Sequence, residues 1–528
     1  MTSLSRILTS VVALGLLLAA PGCDNPLDVD NPNAPETERV LATAQDVEAL
    51  IRDSYIQAKT PLLSADGINM QLGTVAFENS AMAANFGMIE RSAFPRTAII
   101  NTASNQFAPE YREVWAGEYT AIRSASDGLA RIADGVSLGD ATDDARMTAF
   151  GKFVLGFAHA ILAITYDQAS IYDETIPVLP VQPLVPYGEV MTAALGYMDE
   201  AIAIAEANPE IAFPDDWMGI PVDQATFIQI VNSYKARYRV QVARTPDERE
   251  AVDWAAVIAE VDAGITADYA PLDDDDRWDY WMHDYMSFKG AWHQVPYLVS
   301  GMADTSGAYQ AWLATPIGSR TPFVIATPDK RFPQGTTLTA QRAAPGTQIR
   351  AKTNDTGEGG WIRAERGTWR WSHYLDDRFA EYYAETNFGL PIPVISTLEM
   401  DLLKAEAYIR SGQPALALPL INATRVGEGE LPPATLAGAQ GQGNACVPKL
   451  PNGTCGDLLE TLKWEKRRAL FMTVFGGWYF DSRGWGDLSE GTYLHYPVPA
   501  RELEVRQLPL YTFGGGGTGS ALAGTYGF

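Results

Sequence analysis

The sequence predicts a mainly α-helical protein: a scaffold of paired helices that carries one irregular, loop-rich lobe. Apolar residues recur at helical spacing through long segments on both sides of residues 271–393. Within those residues the helical periodicity fades, glycine and proline become frequent, and aromatic residues concentrate. Helices and turns that alternate over a few tens of residues are typical of helix-turn-helix repeats such as tetratricopeptide units.

The N-terminal helices follow from the spacing of apolar residues. The first begins behind a capping Thr43, with Val47, Ile51 and Tyr55 on one face. Further helices are predicted over residues 107–133, 143–166, 187–207, 223–243 and 253–267. The helix over residues 143–166 is apolar almost all round, and it is therefore predicted to be a buried core helix.

The C-terminal part resumes the helical pattern. Helices are predicted over residues 396–411 and 414–425, on either side of a turn at Gly412, and over residues 457–475. The chain is thereby divided into a signal peptide (1–22), a tether (23–42), a helical scaffold (43–270), a ligand-facing lobe (271–393) and a helical C-terminal part with its tail (394–528). We expect residues 43–528 to form one integrated domain.

The N-terminus has the features of a bacterial secretory signal. A charged start at Arg6 precedes an apolar stretch, residues 7–20, that is shorter than the ~20 residues of a membrane-spanning helix. Cys23 lies at the expected cut and predicts a lipoprotein, in which acyl chains on this thiol hold the protein at a membrane. The alternative is an ordinary signal peptide cut near Ala20, with Cys23 a free thiol. The Pro-, Asn- and Asp-rich residues 23–42 are predicted to be an extended tether.

The net charge of the chain disfavours some classes of partner. Its 528 residues carry a formal net charge of −26, with a pI near 4.6. Nucleic acids are disfavoured as partners, because their phosphates bind Lys and Arg. Docking to anionic headgroups through basic patches is disfavoured for the same reason. Neutral ligands and partners with positive patches are compatible with this charge.

Two further cysteines, Cys446 and Cys455, flank a short segment with turn signals. In an exported protein this spacing predicts a disulfide that pins a loop. The alternative, half of a metal site, lacks a second Cys or His cluster nearby. The acidic run at residues 273–276 has the oxygen ligands of a Ca²⁺ site but not the spacing, so a solvated loop is favoured. We therefore predict no metal site and no cofactor.

The aromatic residues of the lobe are the candidate ligand contacts. Trp278, Tyr280, Trp281 and Trp292 present the flat apolar faces that match the C–H faces of sugar rings. The alternative is that these side chains build a core under long loops.

Four segments resemble the SusD/RagB family. Residues 398–425 are similar to its C-terminal helix pair, and residues 464–483 to its basic helix and Trp/Phe-Asp-x-Arg ending. Residues 496–503 resemble its closing Tyr-Pro-Ile-Pro-x-x-Glu motif, and residues 27–33 its tether after the lipid.

The resemblance implies a lipid-anchored protein of the bacterial outer membrane, exposed at the cell surface. It also implies association with a TonB-dependent (SusC-like) transporter, to which the protein delivers a captured nutrient. The expected ligand is an oligosaccharide or a peptide, the oligosaccharide being favoured. The family's ligand residues share no motif, so none is assigned here from the resemblance.

The sequence predicts a binding protein and not an enzyme. It contains no HExxH, Gly-x-Ser-x-Gly or Walker motif. Two alternatives stay open: a secreted glycan- or peptide-cleaving enzyme on a helical scaffold, and a helical scaffold that binds only protein. Facing carboxylates in a cleft would favour the enzyme.

Overall fold

A computed structural model describes residues 43–63, 68–81, 87–271, 278, 293–352, 372–378, 391–471 and 473–516. The predictions for residues 1–42, including lipidation of Cys23, concern residues outside these ranges, as does the prediction for the acidic run 273–276.

The described elements are short strands and many helices. The helices are α1 (Ala44–Leu63), α2 (Ile68–Val75), α3 (Met88–Ser92), α4 (Pro109–Ala133), α5 (Ala141–Thr165), α6 (Tyr187–Ala207), α7 (Asp215–Met218), α8 (Gln224–Gln241), α9 (Pro246–Glu250), α10 (Trp254–Asp262), α11 (Tyr297–Ser300), α12 (Ala308–Ala314), α13 (Leu338–Ala343), α14 (Thr397–Arg410), α15 (Pro414–Gly427), α16 (Leu458–Ala469), α17 (Gly477–Trp485) and α18 (Ala500–Val505). The strands are β1 (Ser80–Ala81), β2 (Gln168–Ala169), β3 (Val185–Pro186), β4 (Ala212–Phe213), β5 (Val222–Asp223), β6 (His293–Gln294), β7 (Ile349–Ala351) and β8 (Tyr374–Asp376).

Side-chain caps fix where several helices begin. The Thr43 hydroxyl accepts the backbone N–H of Asp46 at 3.2 Å, and the Asp46 carboxylate accepts the backbone N–H of Thr43 at 3.3 Å. This reciprocal pair is a capping box, and it confirms the predicted start of α1. Asp140 caps α5 by accepting the N–H of Thr142 at 2.7 Å, and Asp457 caps α16 in the same way.

Two predicted helix ends were wrong. The helix expected over residues 457–475 stops at Ala469, and the aromatic run that follows belongs to the separate helix α17. Gly476 precedes the first residue of α17, and its φ of 56° lies in the left-handed region that glycine adopts readily. The helix expected over residues 253–267 stops at Asp262, because Ile265 donates its backbone N–H to the Ser233 hydroxyl of α8 at 2.9 Å.

The long helices pack on one another in a series, as the paired-helix prediction requires. Helix α4 packs between α1 and α5, α5 lies along α6, and both α6 and α10 pack on α8. Helix α10 then contacts α14, which packs against α15 and α16. The described strands form four two-stranded antiparallel sheets, which pair β1 with β6, β2 with β3, β4 with β5 and β7 with β8.

Helix α5 lies at the centre of the main hydrophobic core, which includes residues from Val47 to Leu503. Among the described residues it is the one helix long and apolar enough to cross a membrane, and 89% of its most apolar stretch is buried inside the protein. The prediction of a buried core helix is confirmed. A smaller apolar cluster fills the space between α14, α15 and α16.

Candidate functional site

The predicted ligand residues fall mostly outside the described residues. Tyr280, Trp281 and Trp292 lie outside them, whereas Trp278 is described and is 6% exposed. Its ring lies 6.3 Å from that of Tyr55, and the Lys59 ammonium lies 4.6 Å from its ring centroid. Trp278 therefore fastens the start of the lobe to α1, and ligand contact at all four residues stays a prediction.

The other described aromatic residues of the lobe build a core. The hydroxyls of Tyr297 and Tyr309 donate to the carbonyls of Phe323 and Leu298, each at 2.6 Å. The Tyr374 hydroxyl donates to Gln341 at 2.7 Å. These tyrosines are buried with their polar ends bonded, so they follow the alternative in which aromatic residues support long loops.

The predicted disulfide is present. Cys446 and Cys455 are bonded, with their Cα atoms 5.3 Å apart. The loop they close lies on the lobe, since Lys449 donates its backbone N–H to Met302 at 2.8 Å and Gln310 donates to the Leu450 carbonyl at 2.9 Å. Within the described ranges, no group of three or more His, Cys, Asp or Glu side chains is placed to hold a metal ion.

A cleft of about 420 Å³ opens elsewhere, between α4, residues 172–181 and α18. We call it the aromatic cleft. Its lining residues are Trp115, Ala116, Tyr119, Ile122, Arg123, Ser126, Tyr172, Asp173, Ile176, Val178, Val181, Glu502 and Arg506. The volume is within the ~300–1,000 Å³ range of small-molecule sites.

One face of α4 forms the floor of the aromatic cleft. Trp115, Tyr119, Ile122 and Ser126 follow one another at steps of four, three and four residues, which places them on a single helical face. The rings of Trp115 and Tyr119 have centroids 4.9 Å apart. The Tyr119 hydroxyl donates to the Ser170 carbonyl at 2.9 Å and accepts the Ser170 N–H at 2.7 Å, which holds the ring in place.

The opposite wall is positioned by the core helix α5. The backbone N–H of Tyr172 donates to Nε2 of His159 at 3.3 Å, while Nδ1 of His159 bonds the Leu155 carbonyl at 2.7 Å. Burial lowers the pKa of His159 to about 4, so the imidazole is neutral and can accept this bond. The Tyr172 hydroxyl accepts the N–H of Gln182 at 2.9 Å, and its ring meets Tyr119 edge to face at 6.2 Å.

The charged residues at the cleft have partners within the protein. Arg506 donates to Glu502 at 2.6 Å, to the Gln182 carbonyl at 2.7 Å and to the Ser170 hydroxyl at 3.0 Å. Arg123 pairs with Asp127 at 2.7 Å.

Asp173, the remaining carboxylate on this wall, is also engaged. Its oxygens accept from Thr175 at 2.7 Å and from the Tyr197 hydroxyl at 3.0 Å. Burial by itself would raise the pKa of Asp173, but these hydrogen bonds outweigh it and lower the pKa below its ordinary value. The carboxylate is therefore ionised and bonded within the wall.

Sequence reasoning missed the aromatic cleft. The α4 residues that line it have the same periodicity as the residues that pack α4 into the core, so the pattern alone does not separate the two. The proline-rich residues 176–186, which follow strand β2 along the chain, were the available signal that a surface wall lies here.

The charged residues of the family-like segment 464–483 lie in the interior. Glu465, Lys466, Arg467 and Arg468 of α16 are buried, as are Asp481 and Arg483 of α17. Arg331 contacts Glu465 at 2.6 Å, and Asp481 contacts Lys466 at 2.9 Å. These residues hold helices together, so this segment of the resemblance reflects packing within the fold.

Comparison with solved structures defines the class of fold: the chain has a SusD-like fold, as the resemblance implied. A SusD homolog from Parabacteroides distasonis matches with a TM-score of 0.55 and 14% identity, over 87% of this chain and 93% of that one. A SusD superfamily protein from Bacteroides vulgatus matches with a TM-score of 0.52 and 12% identity, over 84% and 88% of the two chains. A SusD homolog from Bacteroides thetaiotaomicron matches with a TM-score of 0.51 and 13% identity, over 90% and 98%.

Sequence comparison gives no match: no protein-family model fits the chain, and no curated protein sequence is similar to it. The likeness to the solved structures is therefore one of fold.

Proposed function

We propose that this chain is a lipid-anchored protein of the outer membrane that binds a nutrient glycan at the cell surface and delivers it to a TonB-dependent transporter. The observation that carries the proposal is the SusD-like fold, which extends over 87% of the chain in the match to the Parabacteroides distasonis homolog. Because one fold can serve many functions, the site and the anchor need tests of their own.

The anchor is the first part of the proposal. Cys23 receives lipid, and residues 23–42 connect it to α1, which begins at Ala44. A segment of that length spans at most about 70 Å, enough to hold a folded body clear of the membrane surface. The net charge of −26 supports an anchor made of lipid, because the body has no excess of basic residues to attract anionic headgroups.

The glycan site is the second part, and it lies in the lobe, residues 271–393. Tyr280, Trp281 and Trp292 supply the flat faces for sugar rings. Trp278 next to them is fixed against Tyr55 and Lys59, so the lobe is fastened to the scaffold at the start of this run. The protein captures its ligand without cleaving it, in keeping with the absence of the catalytic motifs named above from the sequence.

Glycan binding is tested with the soluble chain from residue 24 onward, on a glycan array followed by calorimetry. We expect the wild-type chain to bind at least one neutral oligosaccharide, and Trp281→Ala or Trp292→Ala to weaken it at least tenfold. Tyr408→Ala on α14 is the matched control, because this half-buried ring lies outside the lobe. Failure of the wild-type chain to bind any glycan contradicts the proposal, as does hydrolysis of a bound glycan. An equal loss of glycan affinity in Tyr408→Ala also contradicts it.

Anchorage and delivery are tested in the native host. Mass spectrometry of the membrane-extracted chain should show a lipid-modified Cys23 at its N-terminus, and Cys23→Ser should release the protein from the membrane. A TonB-dependent barrel should co-purify with the wild-type chain. A bare Cys23 thiol, or purification without a barrel, contradicts this part of the proposal.

A further inference from the structure

The aromatic cleft differs in chemistry from a sugar site. Along α4 it presents Trp115, Tyr119 and Ile122, and across from them it presents Ile176, Val178 and Val181. Val178 and Val181 are exposed, so the rim of the cleft is apolar as well as its floor. Apolar side chains in a cavity of about 420 Å³ favour a small ligand that buries apolar surface.

Polar groups of the cleft are already bonded within the protein. Arg506 is bonded through Nε and both terminal nitrogens, and the Tyr119 hydroxyl both donates and accepts within the protein. Most of the lining is apolar, so an oligosaccharide would bury hydroxyls against it without partners, at a cost of about 1–3 kcal/mol each. The charges at the cleft are paired within the protein, Arg506 with Glu502 and Arg123 with Asp127, which favours a neutral ligand.

One polar atom of the lining is unbonded. The Oγ of Ser126 is buried and has no hydrogen-bond partner among the described residues, although Ser126 lines the cleft. A buried hydroxyl without a partner costs about 1–3 kcal/mol, and a ligand that bonds it recovers that cost. This atom points to one hydrogen-bonding group on the ligand.

The aromatic rings of the cleft are positioned to contact an aromatic ring of a ligand. Tyr119 lies 4.9 Å from Trp115 and meets Tyr172 edge to face at 6.2 Å. Aromatic rings prefer offset or edge-to-face contacts at centroid distances of about 4.5–7 Å. Because the hydroxyls of Tyr119 and Tyr172 are both bonded to backbone, the rings are ordered before a ligand arrives.

From these features we infer that the aromatic cleft binds a small, neutral aromatic compound with one hydroxyl group. The site is separate from the glycan site proposed in the lobe and does not depend on it. The aromatic ring lies against Trp115, Tyr119 and Tyr172, and the hydroxyl bonds the Ser126 Oγ.

The test uses 2-naphthol as the probe, with 2-methylnaphthalene as an analogue of similar shape that lacks the hydroxyl. Calorimetric titration of the soluble chain should give saturable binding of 2-naphthol. Ala116→Trp places a large ring in the cleft from an exposed position on α4 and should weaken 2-naphthol binding at least tenfold. Ala133→Trp, at the exposed end of the same helix and outside the cleft, is the matched control and should bind like the wild type.

Ser126→Ala tests the hydroxyl contact. It should weaken 2-naphthol binding about five- to twentyfold and leave 2-methylnaphthalene binding unchanged, with a thermal midpoint no lower than that of the wild type, since the Oγ has no partner to lose among the described residues. The inference is overturned if the wild-type chain does not bind 2-naphthol up to its solubility limit. It is also overturned if Ala116→Trp binds as well as Ala133→Trp, or if Ser126→Ala weakens both probes equally. None of these outcomes affects the glycan test, whose variants lie in the lobe.

Discussion

The interior around α5 and the interior around α16 are filled by different chemistry. Around α5, the rings of Phe150, Phe153 and Phe157 pack against Tyr55 and Tyr234 at centroid distances of 5.3–6.0 Å. Around α16, buried Arg, Lys, Asp and Glu side chains pair with one another. An apolar interior accepts any arrangement that fills the volume, whereas a charged interior needs each partner in its place.

One cluster of buried charges joins three distant segments of the chain. Nη2 of Arg249 lies 2.7 Å from Glu406 and 2.9 Å from Asp481, and the Arg249 and Glu406 side chains are 0% exposed. The indole N–H of Trp485 also donates to Glu406 at 2.8 Å. Burial by itself would raise the pKa of Glu406, but the ion pair with Arg249 outweighs it and lowers that pKa. The Glu406 carboxylate is therefore charged, and it depends on its cations.

The largest effect is expected for Arg249→Met. The substitution keeps much of the side-chain volume but leaves Glu406 and Asp481 without this cation, which costs about 5 kcal/mol, the upper end of the range for a broken buried pair. This cost is measured as the difference in the free energy of unfolding between the variant and the wild type, from denaturant titration at pH 7.

The same measurement repeated at pH 4 identifies the cause. Without Arg249, Glu406 keeps, among the described residues, only the more distant cations of Arg410 at 3.7 Å and Lys466 at 3.9 Å. Glu406 therefore takes up a proton more easily in the variant than in the wild type, and the difference between the two proteins should shrink as the pH falls. A cost below about 1 kcal/mol at pH 7, or a cost that does not change with pH, contradicts the assignment of this region to paired charges.

A slightly smaller effect is expected for Phe153→Ala in α5. Removing a buried ring leaves a cavity and loses its transfer free energy, which together cost about 3–4 kcal/mol. Because no charge is uncovered, this cost should be the same at pH 7 and pH 4. If it varied with pH by more than about 1 kcal/mol, the two interiors would not differ in the way described here.

The sequence predicted the apolar interior far better than the charged one. The periodicity of residues 143–166 was enough to predict α5 and its burial, because each apolar residue reports on its own position. The partners of Arg249 lie 157 and 232 residues away along the chain, and nothing local to Arg249 indicates them. Residues 464–483 were recognised as similar to a family, but their pairing with distant residues needed the structure.

Separation along the sequence also explains which candidate sites were predicted and which were missed. The disulfide joins residues nine positions apart, and it was predicted. The aromatic cleft brings α4 together with Glu502 and Arg506, which lie nearly 400 residues further along the chain, and it was missed. The predicted glycan contacts depend on loops whose positions periodicity does not give.

His159 is a titratable group within the apolar interior, and it gives the third prediction. Burial lowers its pKa to about 4 from an ordinary value of 6.5. Stability from the neutral imidazole is therefore fully present above pH 6.5 and is lost as the pH falls towards 4, where the loss reaches about 3 kcal/mol. His159→Gln has no such proton uptake, so the wild type should lose about 3 kcal/mol more than the variant between pH 7 and pH 4. Parallel stability curves for the two proteins would contradict the buried, neutral imidazole.

The smallest effect is expected for Arg123→Met on the surface of α4. Its N–O distance to Asp127 is 2.7 Å, the same as between Arg249 and Glu406, but the two side chains are 50% and 22% exposed. Water solvates each charge when the other is removed, so the loss should be below about 0.5 kcal/mol and should disappear in 1 M salt. Both variants replace Arg by Met at pairs of equal length, so a tenfold difference in cost would assign the effect to burial and not to distance. A cost above about 2 kcal/mol at position 123, measured by the same denaturant titration, would show that the geometry of the pair matters more than its exposure to water.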